Sequence, residues 1–141
     1  MFKLLGRIEI HGTKDAVDKC VSVAPIPDGT ITQTGLKRKL PETGAWLYAS
    51  PWYRFHPDTM DHEIRDFLAA YLKIGDALAV RDVGIEYAFL TLCSVEQSHE
   101  ESFAGIFSLE ALQLLTNMGL ELQIAPAAIM PDAPYWKPNE N

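Results

Sequence analysis

The sequence predicts an α+β fold, with helices packed on one face of a mainly antiparallel sheet. Three observations predict it. Stretches of period two and period 3.6 alternate in the order strand, helix, strand, strand, helix, strand, helix, strand. The first six of these have the order of a ferredoxin-like β-α-β-β-α-β unit, and a C-terminal helix–strand pair extends it. The length, 141 residues, suits one domain, which we place at residues 1–125, followed by an extended Pro-rich tail at 126–141.

Each element has a local cause. In KLLGRIEIH, residues 3–11, Leu4, Ile8 and Ile10 share one parity, and Arg7, Glu9 and His11 share the other, as in a half-buried strand. Thr13 is placed to cap a short helix with Ala16, Val17, Cys20 and Val21 as its apolar stripe. Pro25 and Pro27 end it, and Asp28-Gly29 signals a turn. TITQT (30–34) and AWLYAS (45–50) read as two strands of a hairpin around the basic loop Lys37-Arg38-Lys39. WYRFHPD reads as the connection to a helix whose Met60, Ile64, Phe67, Leu68, Tyr71 and Leu72 form one face, capped by Asp58 or Thr59. Gly75 either stops that helix, or it continues or restarts toward Gly84.

IEYAFLTLCSV (85–95) is apolar on both parities, which marks a central strand with both faces covered, by the fold itself or by a partner. In SLEALQLLTNMGLELQIA (108–125), Ser108 caps, and Leu109, Leu112, Leu115 and Met118 are expected to face the core. Gly119 stops the helix, and Leu120, Leu122 and Ile124 alternate in a closing strand. In the tail, Tyr135-Trp136 either docks or lies free.

The net charge of −7 is uneven. Residues 1–41 carry seven Lys/Arg against four Asp/Glu, and residues 42–141 carry five against fifteen. An acidic surface repels phosphate backbones, so no nucleic acid is expected, whereas a basic protein partner is attracted. No apolar run approaches the roughly 20 residues of a membrane span. The start, MFKLLGRIEIHG, is too short and too interrupted for a signal peptide, so cytoplasmic residence is expected. Cys20 and Cys93 lack metal-type spacing and read as small buried hydrophobes rather than a disulfide.

Catalytic motifs are absent: no Gly-rich phosphate loop, no G-x-S-x-G elbow, and no histidine beside either cysteine in sequence. Asp58, His62 and Asp66 fall at i, i+4 and i+8 but away from the apolar face, and His62-Glu63 lacks the second histidine of a zinc helix. A solvated helix face explains them, and no metal or cofactor is expected. Glu100-Glu101 sit in a polar loop, where a desolvated acid or base is rarely supplied. Trp46, Tyr48, Trp52, Tyr53 and Phe55 concentrate five of fourteen aromatics within ten residues, as core packing or as an interaction patch.

TGAWLYAS (43–50), DHEIRDFLAAYL (61–72) and above all GIFSLEALQLLTNMGLELQIA (105–125) resemble a family of small bacterial proteins catalogued as domain of unknown function number 4279. The resemblance follows most of residues 1–125 in element order and is specific in the last twenty or so. It implies no catalytic residue. Small acidic domains of this kind are associated with immunity proteins, which neutralise toxins by occlusion.

The expected function is therefore that of a protein-binding module of immunity type, facing a basic toxin. Contacts are expected from Glu96, Glu100 and Glu101, with Trp52 and Tyr53 as anchors. Two other readings stand beside it. One is a small-molecule-binding or enzymatic domain with a pocket near Trp46/Tyr48 that includes His56 or Arg54. The other is a self-associating homodimer joined through strand 85–95 or its neighbours.

Overall fold

The computed structural model describes residues 3–34, 45–79, 84–95, 107–125 and 133–137. In chain order the elements are β1 (Lys3–Gly12), α1 (Lys14–Val23), β2 (Thr30–Thr34), β3 (Ala45–Ala49) and β4 (Tyr53–Phe55). A 3-10 turn, Pro57–Thr59, leads into α2 (Met60–Ala70), followed by α3 (Leu72–Ala79), β5 (Ile85–Val95), α4 (Leu109–Met118) and β6 (Glu121–Ile124). The sheet order is β2-β3-β1-β5-β6. Every pairing is antiparallel except that of β5 with β6. β1, β2, β3 and β5 thus take the spatial order 2-3-1-5 of a ferredoxin-like sheet, and α4–β6 adds a parallel strand at the margin.

Two of the three expected N-caps form; Thr59 takes the N-cap position of α2, but its hydroxyl bonds Glu63 instead of capping. Thr13 Oγ1 accepts the Ala16 N–H at 3.3 Å, and Ser108 Oγ accepts that of Ala111 at 3.1 Å. Gly119 stops α4 at φ 73°, a left-handed conformation that carries no steric penalty only for glycine. The helix after Met60 breaks for one residue at Tyr71 and restarts, with Gly75 inside α3. An added Cβ at Gly75 would lie 3.3 Å from the Met118 backbone, so this glycine lets α3 and α4 approach closely.

The main core lies between sheet and helices. Leu4, Ile8 and Ile10 of β1 and Leu90 and Leu92 of β5 meet Val17, Ile64, Phe67, Leu68, Ile74 and Leu115. Phe67 sits among four rings, with Tyr53, Phe55, Tyr71 and Trp136 at 5.0–6.0 Å between centroids. Tyr48 also belongs here: its hydroxyl donates to the Ala24 carbonyl at 3.0 Å and accepts the Ile26 N–H at 2.6 Å. Cys20 and Cys93 are not joined in a disulfide; both are buried, Cys20 in the helix-side core and Cys93 on the other face of the sheet.

Three expectations require correction. WYRFHPD is not simply a connection, because Tyr53–Phe55 resumes pairing with β1. Between Glu9↔Ala49 and Gly6↔Tyr53 the register gains one residue, which is a β-bulge at Ser50–Trp52. Pro51 has no N–H to give the ladder, and Ser50 Oγ accepts the Ile8 N–H at 3.0 Å.

The buried stripe of α4 is Ala111, Leu115 and Met118, with Leu114 partly covered, while Leu109 is 82% and Leu112 42% exposed. Asp61 of α2 holds the Ser108 N–H at 2.7 Å, and Gly75 receives Met118, so contacts with other helices set the rotation of α4. Burial alone would raise the Asp61 pKa. That N–H and the nearby Arg65 outweigh it and hold the carboxyl below its ordinary value. Leu120, just before β6, is buried, but Leu122 and Ile124 within it are 38% and 55% exposed, because α4 packs on α2 and α3 and only touches β6.

The described part of the tail is extended and docked. Arg54 donates its N–H to the Pro134 carbonyl at 2.8 Å, and its own carbonyl accepts the Trp136 N–H at 3.1 Å. Tyr135 lies 4.2 Å from the Arg54 guanidinium and stacks on His56 at 4.2 Å. Trp136 is buried at the edge of the core.

Candidate functional site

Trp52 and Tyr53 are adjacent in sequence, and the alternation of an extended chain sends them to opposite faces. Trp52 packs beside Leu5, Cys93 and Ala133 on the face away from the helices, and Tyr53 packs against Phe67 on the helix side. Both are half-buried and they do not form one patch. Glu96, Glu100 and Glu101 lie outside the described residues, as does the basic loop Lys37-Arg38-Lys39. Asp58, His62 and Asp66 lie on an exposed flank of α2, where His62 pairs with Asp66 at 3.3 Å. Among the described residues no group of three or more His, Cys, Asp or Glu side chains could hold a metal ion.

The face away from the helices carries a feature that the sequence reading placed in solvent. Period two puts Arg7, Glu9 and His11 of β1 on that face, but Glu9 is only 6% and His11 3% exposed. Glu9 lies between Ala49 of β3 and Phe89 of β5, His11 between Leu47 and Tyr87, and Arg7 opposite Thr91. The polar groups pair along the strand. Arg7 Nε donates to Glu9 Oε2 at 2.7 Å, and His11 Nε2 lies 3.2 Å from Glu9 Oε1. The Arg7 guanidinium stacks on Trp52 at 4.4 Å, and His11 meets Phe89 edge-on at 5.8 Å. Beside them Thr91 Oγ1 donates to Gln123 Oε1 at 3.0 Å.

Burial alone would raise the Glu9 pKa. The hydrogen bonds from His11 and Arg7, with their charges, outweigh it and hold the carboxyl below its ordinary value. An ionised carboxylate only accepts, so His11 Nε2 carries the proton, and Nδ1 has no hydrogen-bonding partner among the described residues. A carboxylate-oriented imidazole can act as a general base only where a reactant reaches it. Here the ring is nearly enclosed, so the geometry favours a paired polar core over an open catalytic dyad. The signal for this burial was in β5, whose Tyr87, Phe89 and Cys93 are apolar on that same parity. A covered face on one strand implies a covered face on its neighbour.

The surface shows a different kind of feature at the β6 margin. Among the described residues β6 pairs on one side only, with β5. Leu122 and Ile124 are exposed there, next along the chain from Leu109 and Leu112 of α4, and Glu110 and Glu121 among them are exposed too. An open strand edge with apolar side chains is a template for pairing with another chain. Tyr48, by contrast, is enclosed, and Trp46 is half-buried under Lys14 at 5.3 Å, and neither lines the cavity beside Tyr71 or the one beside α1. Compared with known proteins, the chain matches no protein-family model, no curated protein and no solved structure.

Proposed function

We propose that this chain is a protein-binding module of the immunity type that occludes a basic toxin, and that its principal contact is the α4–β6 margin. The observation that carries this reading is the exposure of Leu122 and Ile124 on an edge strand, 38% and 55%. Most proteins blunt such an edge with charge, proline or cover. Here the apolar pair remains open, flanked by Glu110 and Glu121 within a chain of net charge −7. A basic partner would be drawn by the field, pair with the strand edge and bury the leucines and Ile124. The resemblance to small acidic bacterial domains supports the same reading. Trp52 and Tyr53 then serve packing, and the acidic residues Glu96, Glu100 and Glu101 add to the attraction.

The test uses the product of the gene next to this one as the partner. Wild-type chain is expected to co-purify with it at low salt, less so at high salt, and to protect cells from it. Leu122→Asp with Ile124→Asp is expected to lose both properties while unfolding at the wild-type urea concentration. Retained binding and protection in that double variant would exclude the β6 margin. Unchanged toxin sensitivity after deletion of the gene would exclude the immunity role.

A further inference from the structure

A cavity of about 400 Å³ lies at the opposite end of the chemistry from the β6 margin, with aromatic walls and cationic rims. It opens between the α1–β2 connection, the break between α2 and α3, and the docked C-terminal segment. Tyr53, Tyr71 and Trp136 supply ring surface, Ala69 and Ala70 leave room, and Lys73 and Lys137 lie at its edge. Its volume is within the range of small-molecule sites, which pair apolar and aromatic walls with a few polar groups.

The polar groups of this cavity have an orientation. Burial raises the Tyr71 pKa well above the ordinary phenol value, and the Tyr53 hydroxyl bonded to it raises it further. Tyr71 therefore stays neutral. Two bonded hydroxyls use one proton between them and leave the second available to another acceptor. Lys73 and Lys137 are exposed, and no ion pair among the described residues engages either. One phenolic O–H and two ammonium groups beside three rings recognise a flat apolar body ending in a negative charge.

We propose that this cavity binds a small aromatic carboxylate, with its ring against Tyr53, Tyr71 and Trp136 and its carboxylate toward Lys73, Lys137 and the free phenolic proton. Trp136 is both wall and latch: its backbone N–H on the Arg54 carbonyl holds the C-terminal segment across the site. Asp28 opposes binding, because its negative charge reaches Tyr71. The site is separate from the β6 margin and does not depend on the role proposed for it.

The test titrates 1-naphthoate and the uncharged 1-naphthamide into the full chain and follows the assigned indole N–H signals of Trp46, Trp52 and Trp136 by NMR. Naphthoate is expected to shift the Trp136 signal saturably and to bind tighter than the amide. Lys73→Gln and Lys137→Gln are each expected to weaken naphthoate about fivefold at low salt, as exposed charges do, and to leave the amide unchanged. Asp28→Asn is expected to tighten naphthoate binding; asparagine tolerates the left-handed φ of 58° at that position, so the fold is retained. Ala70→Trp, at an exposed helix position, fills the cavity and is expected to abolish binding of both. Equal affinity for the two probes, indifference to both lysine variants, or no saturable shift at Trp136 would each overturn the proposal. Leu122→Asp is expected to leave naphthoate binding intact, which separates this site from the protein-binding edge.

Discussion

β1 sends Leu4, Ile8 and Ile10 to one face of the sheet, and Leu5, Arg7, Glu9 and His11 to the other. Ile8 is fully buried, and Glu9 and His11 one and three residues on are nearly so, yet the two faces are held by different physics. On the helix side, apolar area is removed from water, a non-directional effect that tolerates any well-fitting set of side chains. On the other side, a carboxylate is buried and must be satisfied by specific atoms, the Arg7 Nε and the His11 Nε2. The helix face therefore makes the fold, and the second face ties three polar side chains of one strand to one another. The lesson is that equal burial does not mean equal tolerance.

The comparison can be broken at its strongest point. Phe67→Ala, at the centre of four rings, is expected to cost about 4 kcal/mol, measured by urea unfolding. Glu9→Ala is expected to cost about 3 kcal/mol at neutral pH, the low end for a broken buried pair, because the partly exposed Arg7 can turn to water. If Glu9→Ala cost nothing, the second face would be held by its apolar members alone, and the contrast would fail.

The pH dependence sharpens the same point. The folded Glu9 pKa lies below the unfolded value, so the contribution of Glu9 is fully present above the ordinary carboxylate range. It is lost as pH falls through the folded pKa. Wild type and Glu9→Gln are expected to differ at neutral pH and to converge in acid, as read from urea midpoints. A gap that stays constant with pH would show that the carboxylate charge plays no part. The smallest effect is expected at the bulge: Ser50→Ala removes the acceptor of the Ile8 N–H, at about 1–2 kcal/mol. It should also loosen Trp52 from Arg7, visible as a change in tryptophan fluorescence.

Much of the architecture was legible in the sequence because its causes are local. Thr13, Ser108 and Gly119 act on residues within one turn, and the alternation in β1 and β5 is a property of the strand itself. The double parity of residues 85–95 correctly marked a central strand. The candidate sites were much less legible. Trp52 and Tyr53 read as one aromatic patch, whereas consecutive residues of an extended segment face opposite ways and these two join separate clusters. The walls of the ligand cavity come from Tyr53, Tyr71 and Trp136, which are far apart in the chain and share no motif.

By itself, then, the sequence determined the α+β class, the order of the elements other than β4 and the α2–α3 break, the caps at Thr13, Ser108 and Gly119, and the position of the central strand. Hydrogen bonds and side-chain periods within a few residues suffice for those. Only the tertiary structure decided which leucines of α4 and β6 remain outside, that Glu9 and His11 are enclosed, and that Trp136 returns to the core. Burial depends on what lies across the gap. For α4 that is Asp61 and Gly75, for Glu9 it is Ala49 and Phe89 on the flanking strands, and for Trp136 it is Phe67 and the backbone of Arg54.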